Sequence, residues 1–307
     1  MDEKIERKLR KIPVIGRIVV WMEGVIIPGT EGLSLYELWD LYSVGIVKGT
    51  FSTRAGAIAF SFFMALFPFF LFVLNLIPYI PIKDFQESFL DFVYGLLPSH
   101  TSGFFEPIML DIAANPRGGL LSFTLIFAIF LMANGVNTIF TGFEYSYHTS
   151  HNRTIVRQYL VALWVSILLA IILLITVGVI IFYQYSISQF KYHFFFTEDN
   201  KWISQLGSFL FFVIQIYVIV GTLYYFGTKE GRKYRFFSAG ALLTTLLFLL
   251  TTYLFGIYID NFSTYNQLYG SIGALLIMMV YIWLNSNLLL LGFELNAALH
   301  TLKHKQN

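Results

Sequence analysis

Six runs of predominantly apolar residues govern what this chain can become: 55 to 80, 119 to 146, 158 to 183, 203 to 227, 236 to 259 and 270 to 298. A helix rising about 1.5 Å per residue crosses a hydrocarbon layer of about 30 Å in about 20 residues, so each run is one crossing. Inside hydrocarbon every backbone amide needs a partner within its own segment, which makes each run an α-helix. The expected fold is therefore all-α, a polytopic membrane protein built on a bundle of six transmembrane helices over 55 to 298. A cytosolic arm over 1 to 54 precedes it and a cytosolic tail over 299 to 307 follows. The last run is long enough to tilt or to project beyond the bilayer. With 12% charged residues the chain lies far below the roughly 25% usual for a soluble domain.

An even number of spans puts both termini on one side, and lysine and arginine decide which side that is. Of the 20 basic residues, only Lys83, Arg117, Lys191 and Lys201 fall on the side away from the termini. That side carries Asp84, Glu87, Asp91, Glu106, Asp111, Glu198, Asp199 and Asp260 instead. Both termini are thus expected in the cytoplasm. The net charge of +2 conceals this segregation. The densest basic loop, "TKEGRKYRFF" between the fourth and fifth spans, reads as a topology determinant touching anionic headgroups, and no nucleic-acid partner is expected. Cysteine is absent, which removes disulfides, thiolate nucleophiles and Cys-based metal sites. The mixed-charge start, "MDEKIERKLRK", does not read as a secretory signal.

Two stretches outside the spans look amphipathic. In "SLYELWDLYSVGIVKG", Leu35, Leu38, Trp39, Tyr42 and Ile46 recur at helical spacing opposite Glu37 and Asp40, the pattern of a helix lying on the membrane surface. In the long external loop, "KDFQESFLDFVYGLLPS" sets Phe85, Phe89, Phe92, Val93 and Leu96 against Asp84, Glu87, Ser88 and Asp91.

The second span ends in "LMANGVNTIFTGFEYSYH", which is unusually polar for lipid. At 100 degrees per residue, Asn134, Asn137, Thr138, Thr141, Tyr145 and His148 fall within about 60 degrees of one direction, with Glu144 at the margin. Gly135 and Gly142 flank this stripe and would let another backbone come close. Unpaired polar groups in hydrocarbon cost several kcal/mol, so the stripe faces protein or water. In the fourth span Ser204, Ser208, Gln215 and Thr222 share a face. In the last, Tyr281, Asn285, Gly292 and Asn296 lie opposite Asn287 and Glu294. The third span has little that is polar beyond Ser166 and Thr176 and is expected at the lipid-facing periphery.

Two readings of these stripes stand open. They are helix-to-helix glue, worth about 0.6 to 2 kcal/mol per group, or they converge on a polar groove for a headgroup or other polar solute. In the second case Asn134, Asn137 and Thr141, with Gln215 and Asn285, would line the groove. Arg54, Glu144 and Glu294, near the terminal-side ends of their spans, would then form an inner gate or ion pair. Pro68, in "MALFPFF", cannot donate to the helix ladder and is expected to kink the first span.

"AGAIAFSFFMALFPFF" in the first span, with Ala57, Phe60, Phe67 and Pro68, and "YGSIGALL" to "LGFELNAAL" in the last resemble the YihY/BrkB family of bacterial inner-membrane proteins. Tyr269, Gly270, Ser271, Gly273 and Ala274, then Leu291, Gly292, Glu294, Leu295 and Asn296, carry the closing motif. The resemblance runs from about residue 40 to 300 and implies a six-helix inner-membrane protein. Its members have been labelled ribonuclease BN, linked to serum resistance, and proposed as lipid transporters; none supplies a catalytic residue to carry over.

Metal-dependent RNA cleavage needs clustered His and carboxylate ligands. The six histidines are split between the two sides, and the His148 and His151 pair has no carboxylate motif beside it. P-loop, HExxH and GxSxG motifs are absent as well. The expectation is a protein that is not an enzyme and has no catalytic residue, metal or cofactor, a transporter or flippase-like handler of a lipid or envelope component. Membrane lipids would be its partners. The alternative is a scaffold recruiting an envelope protein, and the oligomeric state is left open.

Overall fold

The computed structural model describes residues 13–26, 34–37, 39–40, 50–76, 118–146, 153–190, 201–233, 236–261 and 271–306. Seven helices account for nearly all of them: α1 (Pro13–Gly24), α2 (Thr50–Leu76), α3 (Gly118–Glu144), α4 (Ile155–Phe190), α5 (Lys201–Gly227), α6 (Ala239–Asn261) and α7 (Ser271–Gln306). A 3-10 turn, Gly231–Lys233, sits between α5 and α6. Among the described residues the fold is all-α, with one isolated bridge between Ile26 and Ser34. Each of α2 to α7 contains a stretch long and apolar enough to cross a membrane, giving the six spans.

Several ends differ from the sequence reading. Helix α2 starts at Thr50, so the expected boundary at 54 falls inside it, and α7 continues to Gln306 through the segment expected as a tail. Helices α4 and α7 have 36 residues each. At about 1.5 Å per residue each is about 54 Å long, and so has to tilt or project from a hydrocarbon layer of about 30 Å. Pro68 is buried within the uninterrupted α2, where its missing N–H deprives the Met64 carbonyl of its helical donor.

Helix α1 was not anticipated. Proline at its first position suits a helix start, and Ile18, Val20 and Trp21 on it are exposed. The expected surface helix begins at Ser34 with a reciprocal capping box. The Ser34 N–H donates to Glu37 Oε2 at 2.8 Å, while the Glu37 N–H donates to Ser34 Oγ at 3.2 Å. Tyr42 and Ile46, like the external amphipathic stretch over 83 to 99, lie outside the described residues.

The six spanning helices pack as a ring in chain order, α2 to α3 to α4 to α5 to α6 to α7 and back to α2. At one end, α3 also reaches across to α5 and α7. There Phe143 stacks on Phe293 at 4.2 Å and meets the Tyr224 ring edge-on at 5.6 Å. This end carries Arg54, Arg153, Arg157 and Arg232 and is called the basic end below. Gly142 admits Leu290 and Ile58 beside its backbone. Gly292 does the same for α6: a Cβ there would collide with Thr244 Oγ1, the Tyr224 hydroxyl and the Gly240 carbonyl. The first amides of α6, which have no partner within the helix, are capped from outside it, since Gly240 N–H donates to Asn296 Oδ1 at 2.8 Å and Ala241 N–H to Ser238 Oγ at 3.2 Å.

Away from the basic end the side-chain bonds join helices in pairs. The Ser61 and Thr138 hydroxyls lie 3.0 Å apart between α2 and α3. Gln215 of α5 donates to Thr176 of α4, and the Thr252 and Tyr281 hydroxyls, 2.7 Å apart, join α6 to α7.

Candidate functional site: a polar slot on the third helix

Phe123, Phe127, Phe130 and Asn134 follow one another at spacings of four, three and four along α3, and all are exposed. The same face continues through Asn137, Thr138 and Thr141. Its character therefore changes near the middle of the helix, from aromatic to polar.

Helix α4 covers the polar part at the basic end. The Gln158 carboxamide reaches Thr141 Oγ1 at 2.8 Å. A carboxylate accepts only, so the Gln158 NH2 is turned toward Glu144, 2.8 Å from Oε2, leaving its oxygen to accept from Thr141. Thr141 also lies 2.9 Å from the Asn137 carbonyl. Glu144 Oε1 accepts from the Arg153 backbone N–H at 3.1 Å. The buried Arg153 guanidinium donates to the carbonyls of Phe226 and Thr228, at 2.7 Å each. Those are free carbonyls at the C-terminus of α5, where a cation is favoured. Burial holds Arg153 below the usual guanidinium range; Glu144 opposes this, and Arg232 and Arg157 add to it.

Asn134 lies beyond this closure. It is at the centre of the Ser122–Glu144 apolar span and is exposed, its backbone carbonyl accepting from Thr138 Oγ1 at 2.9 Å. Asn137 is half-buried. The face of α3 thus forms a slot, shut at the basic end by Gln158 and Arg153 and uncovered from Asn134 onward.

The expected gate residues fall into two clusters. Glu294, 6% exposed, accepts from Ser146 Oγ and lies 3.9 Å from an Arg54 nitrogen. Arg54 also donates to the Gly142 carbonyl at 2.9 Å and sits 4.7 Å over the Phe51 ring. That cluster fastens α2, α3 and α7. Glu144 belongs to the other, with Arg153 and Gln158.

The five residues expected to line one groove are distributed as well. Asn134, Asn137 and Thr141 share the slot. Gln215 bonds to Thr176 on α4, and its Oε1 is buried with no partner among the described residues. Asn285 donates to the Tyr281 carbonyl of its own helix at 2.9 Å. His148 and the side chains of Ser204 and Ser208 lie outside what is described.

Gln158 and Arg153 were the residues sequence reading passed over, the first as a span end and the second as a topology charge. A signal for Gln158 was present: Thr176 is 18 residues on, about five turns, so the two share a face of α4. That face, with Ala162, Val165 and Ser166, is buried, while Leu160, Trp164, Ile167, Ile171 and Ile175 are exposed.

Comparison with known proteins places this architecture. The protein is 27% identical over 271 residues to the putative ribonuclease-like protein YfkH of Bacillus subtilis, covering 88% of this chain and 96% of that one. It is 29% identical over 127 residues to a UPF0761 membrane protein of Idiomarina loihiensis, covering 40% of this chain and 42% of that one. A UPF0761 membrane protein of Xanthomonas campestris is 27% identical over 111 residues, 36% of this chain and 26% of its own. No solved structure matches. The model of the family described as Virulence factor BrkB matches residues 45–307, all six spans included, and the chain belongs to that family.

Proposed function

We propose that this protein is a transporter or flippase-like handler of a lipid or lipid-linked envelope component, and that the α3 slot holds the polar part of its cargo. The observation that carries this reading is Asn134, an exposed amide at the middle of an apolar span. An amide facing acyl chains would lose its water partners at a cost of several kcal/mol, so a polar occupant or water belongs beside it. The exposed Phe123, Phe127 and Phe130 on the same face suit the apolar part of such a cargo. The closed basic end and the uncovered remainder correspond to one side of an alternating-access cycle.

The charge segregation supports termini in the cytoplasm, with the closed end inside, and the likeness to bacterial membrane proteins supports a bacterial inner-membrane location. Among the described residues no three His, Cys, Asp or Glu side chains gather into a group able to hold a metal. The test exploits the absence of native cysteine. In proteoliposomes, an Asn134→Cys variant is expected to react with a charged, water-soluble thiol reagent. The reaction should slow when bacterial envelope lipids replace synthetic phosphatidylcholine. An unreactive thiol, or one indifferent to the lipid, counts against the proposal.

A further inference from the structure

Arg157, Leu160, Val161 and Trp164 succeed one another along α4 at spacings of three, one and three, the signature of one helical face. Opposite them stand Phe226, at the end of α5, and Arg232, in the turn that follows; together they line a recess of about 300 Å³. The rings of Trp164 and Phe226 meet edge-on at 5.1 Å and form its apolar wall. Leu160 is 59% and Trp164 51% exposed, so the wall is uncovered. Arg157 and Arg232 are exposed too, and both act electrostatically on the buried Arg153. Three guanidinium groups thus crowd one corner of the bundle. The charge of Arg153 is spent on the carbonyls of α5, while the other two flank the recess.

We infer that this recess binds an anionic phospholipid of the terminal-side leaflet, its phosphate held by Arg157 and Arg232 and an acyl chain laid along Leu160, Val161 and Trp164. The depth fits: seven residues from Arg157 to Trp164 descend about 10 Å, from the headgroup level into the upper acyl region. Guanidinium matches phosphate in geometry as well as in charge. A free phosphate would satisfy the arginines and leave the apolar wall uncovered. An acidic peptide would carry unsatisfied backbone amides to the depth of Trp164. The recess occupies a face of α4 about a third of a turn from Gln158, so this site is separate from the α3 slot and does not rest on the transport reading.

Native mass spectrometry of the full-length protein in detergent, with equimolar palmitoyl-oleoyl phosphatidylglycerol and phosphatidylethanolamine, tests the site. Wild type is expected to retain phosphatidylglycerol in preference, and the Arg157→Gln, Arg232→Gln double variant to lose that preference by about 25-fold, at about fivefold per arginine. Trp164→Ala should weaken phosphatidylglycerol retention with the charges intact, and millimolar inorganic phosphate should not displace the lipid. Lys303→Gln with Lys305→Gln, which removes equal charge elsewhere, should leave the preference unchanged. Unaltered thermal melting of the arginine variant excludes misfolding, and an Arg157→Lys, Arg232→Lys variant that keeps part of the preference serves if it melts early. The inference is overturned if wild type shows no preference, if the tail variant loses it equally, if phosphate displaces the lipid, or if an acidic protein occupies the site.

Discussion

Gly292 shows how a single hydrogen in place of a methyl group sets the spacing of two helices. The backbone carbonyl of Gly240 is among the atoms a Cβ would strike, and it cannot rotate aside. Gly292→Ala is therefore expected to destabilise the protein by about 1 to 3 kcal/mol, read as earlier thermal unfolding in detergent. Gly56→Ala, where the added carbon meets nothing within 4 Å, is the contrasting case. Being inside a helix, it should be neutral or stabilising by up to about 1 kcal/mol. Arg54 and Glu294 behave as a unit, since their side chains are only 11% and 8% exposed. Glu294→Ala leaves a nearly buried guanidinium without its carboxylate and should cost about 3 kcal/mol or more, whereas removing both charges together, as Arg54→Met with Glu294→Met, should cost less than that single change. A double-mutant cycle in the same melting assay checks the sign.

Among the elements, α4 links the two halves of the ring through polar groups on a single face. Gln158→Leu leaves the Thr141 hydroxyl only the Asn137 carbonyl and removes a donor from Glu144. The expected loss is about 1 to 3 kcal/mol, with faster hydrogen exchange where α3 meets α4. Higher on the same face, Thr176→Val combined with Gln215→Leu removes a bond whose Gln215 oxygen has no partner among the described residues. That pair should be nearly neutral, because donor and acceptor leave together. The spans themselves were legible in the sequence, since length and apolarity alone decide whether a segment can cross a bilayer. The partners of their polar groups were not. Glu144 and Glu294 end their spans at similar depth, and only the packed ring decides which of them meets Arg54. Helix α4 was expected at the periphery, and its exposed face of Leu160, Trp164, Ile167, Ile171 and Ile175 agrees with that. Its buried polar face rests on Gln158, Ser166 and Thr176, too few to register without the phase that unites Gln158 and Thr176.

At the scale of the whole molecule, the ring is fastened at the basic end by aromatic stacking, two polar clusters and the caps of α6, while the slot face of α3 is exposed from Asn134 to Phe123. If the basic end is cytoplasmic, a Lys303→Cys variant should resist an impermeant thiol reagent in intact cells and react after permeabilisation. A Lys83→Cys variant should react without it. The reverse pattern would invert the orientation and move the closed end outside. The central claim, that the α3 slot holds a lipid or envelope component, is tested most directly by native mass spectrometry of purified wild type beside an Asn134→Leu, Asn137→Leu double variant. Wild type is expected to retain a defined lipid that the variant, equally folded and equally abundant in the membrane, has lost. Identical bound species in the two proteins would contradict the account and leave the amides of α3 as helix-packing groups.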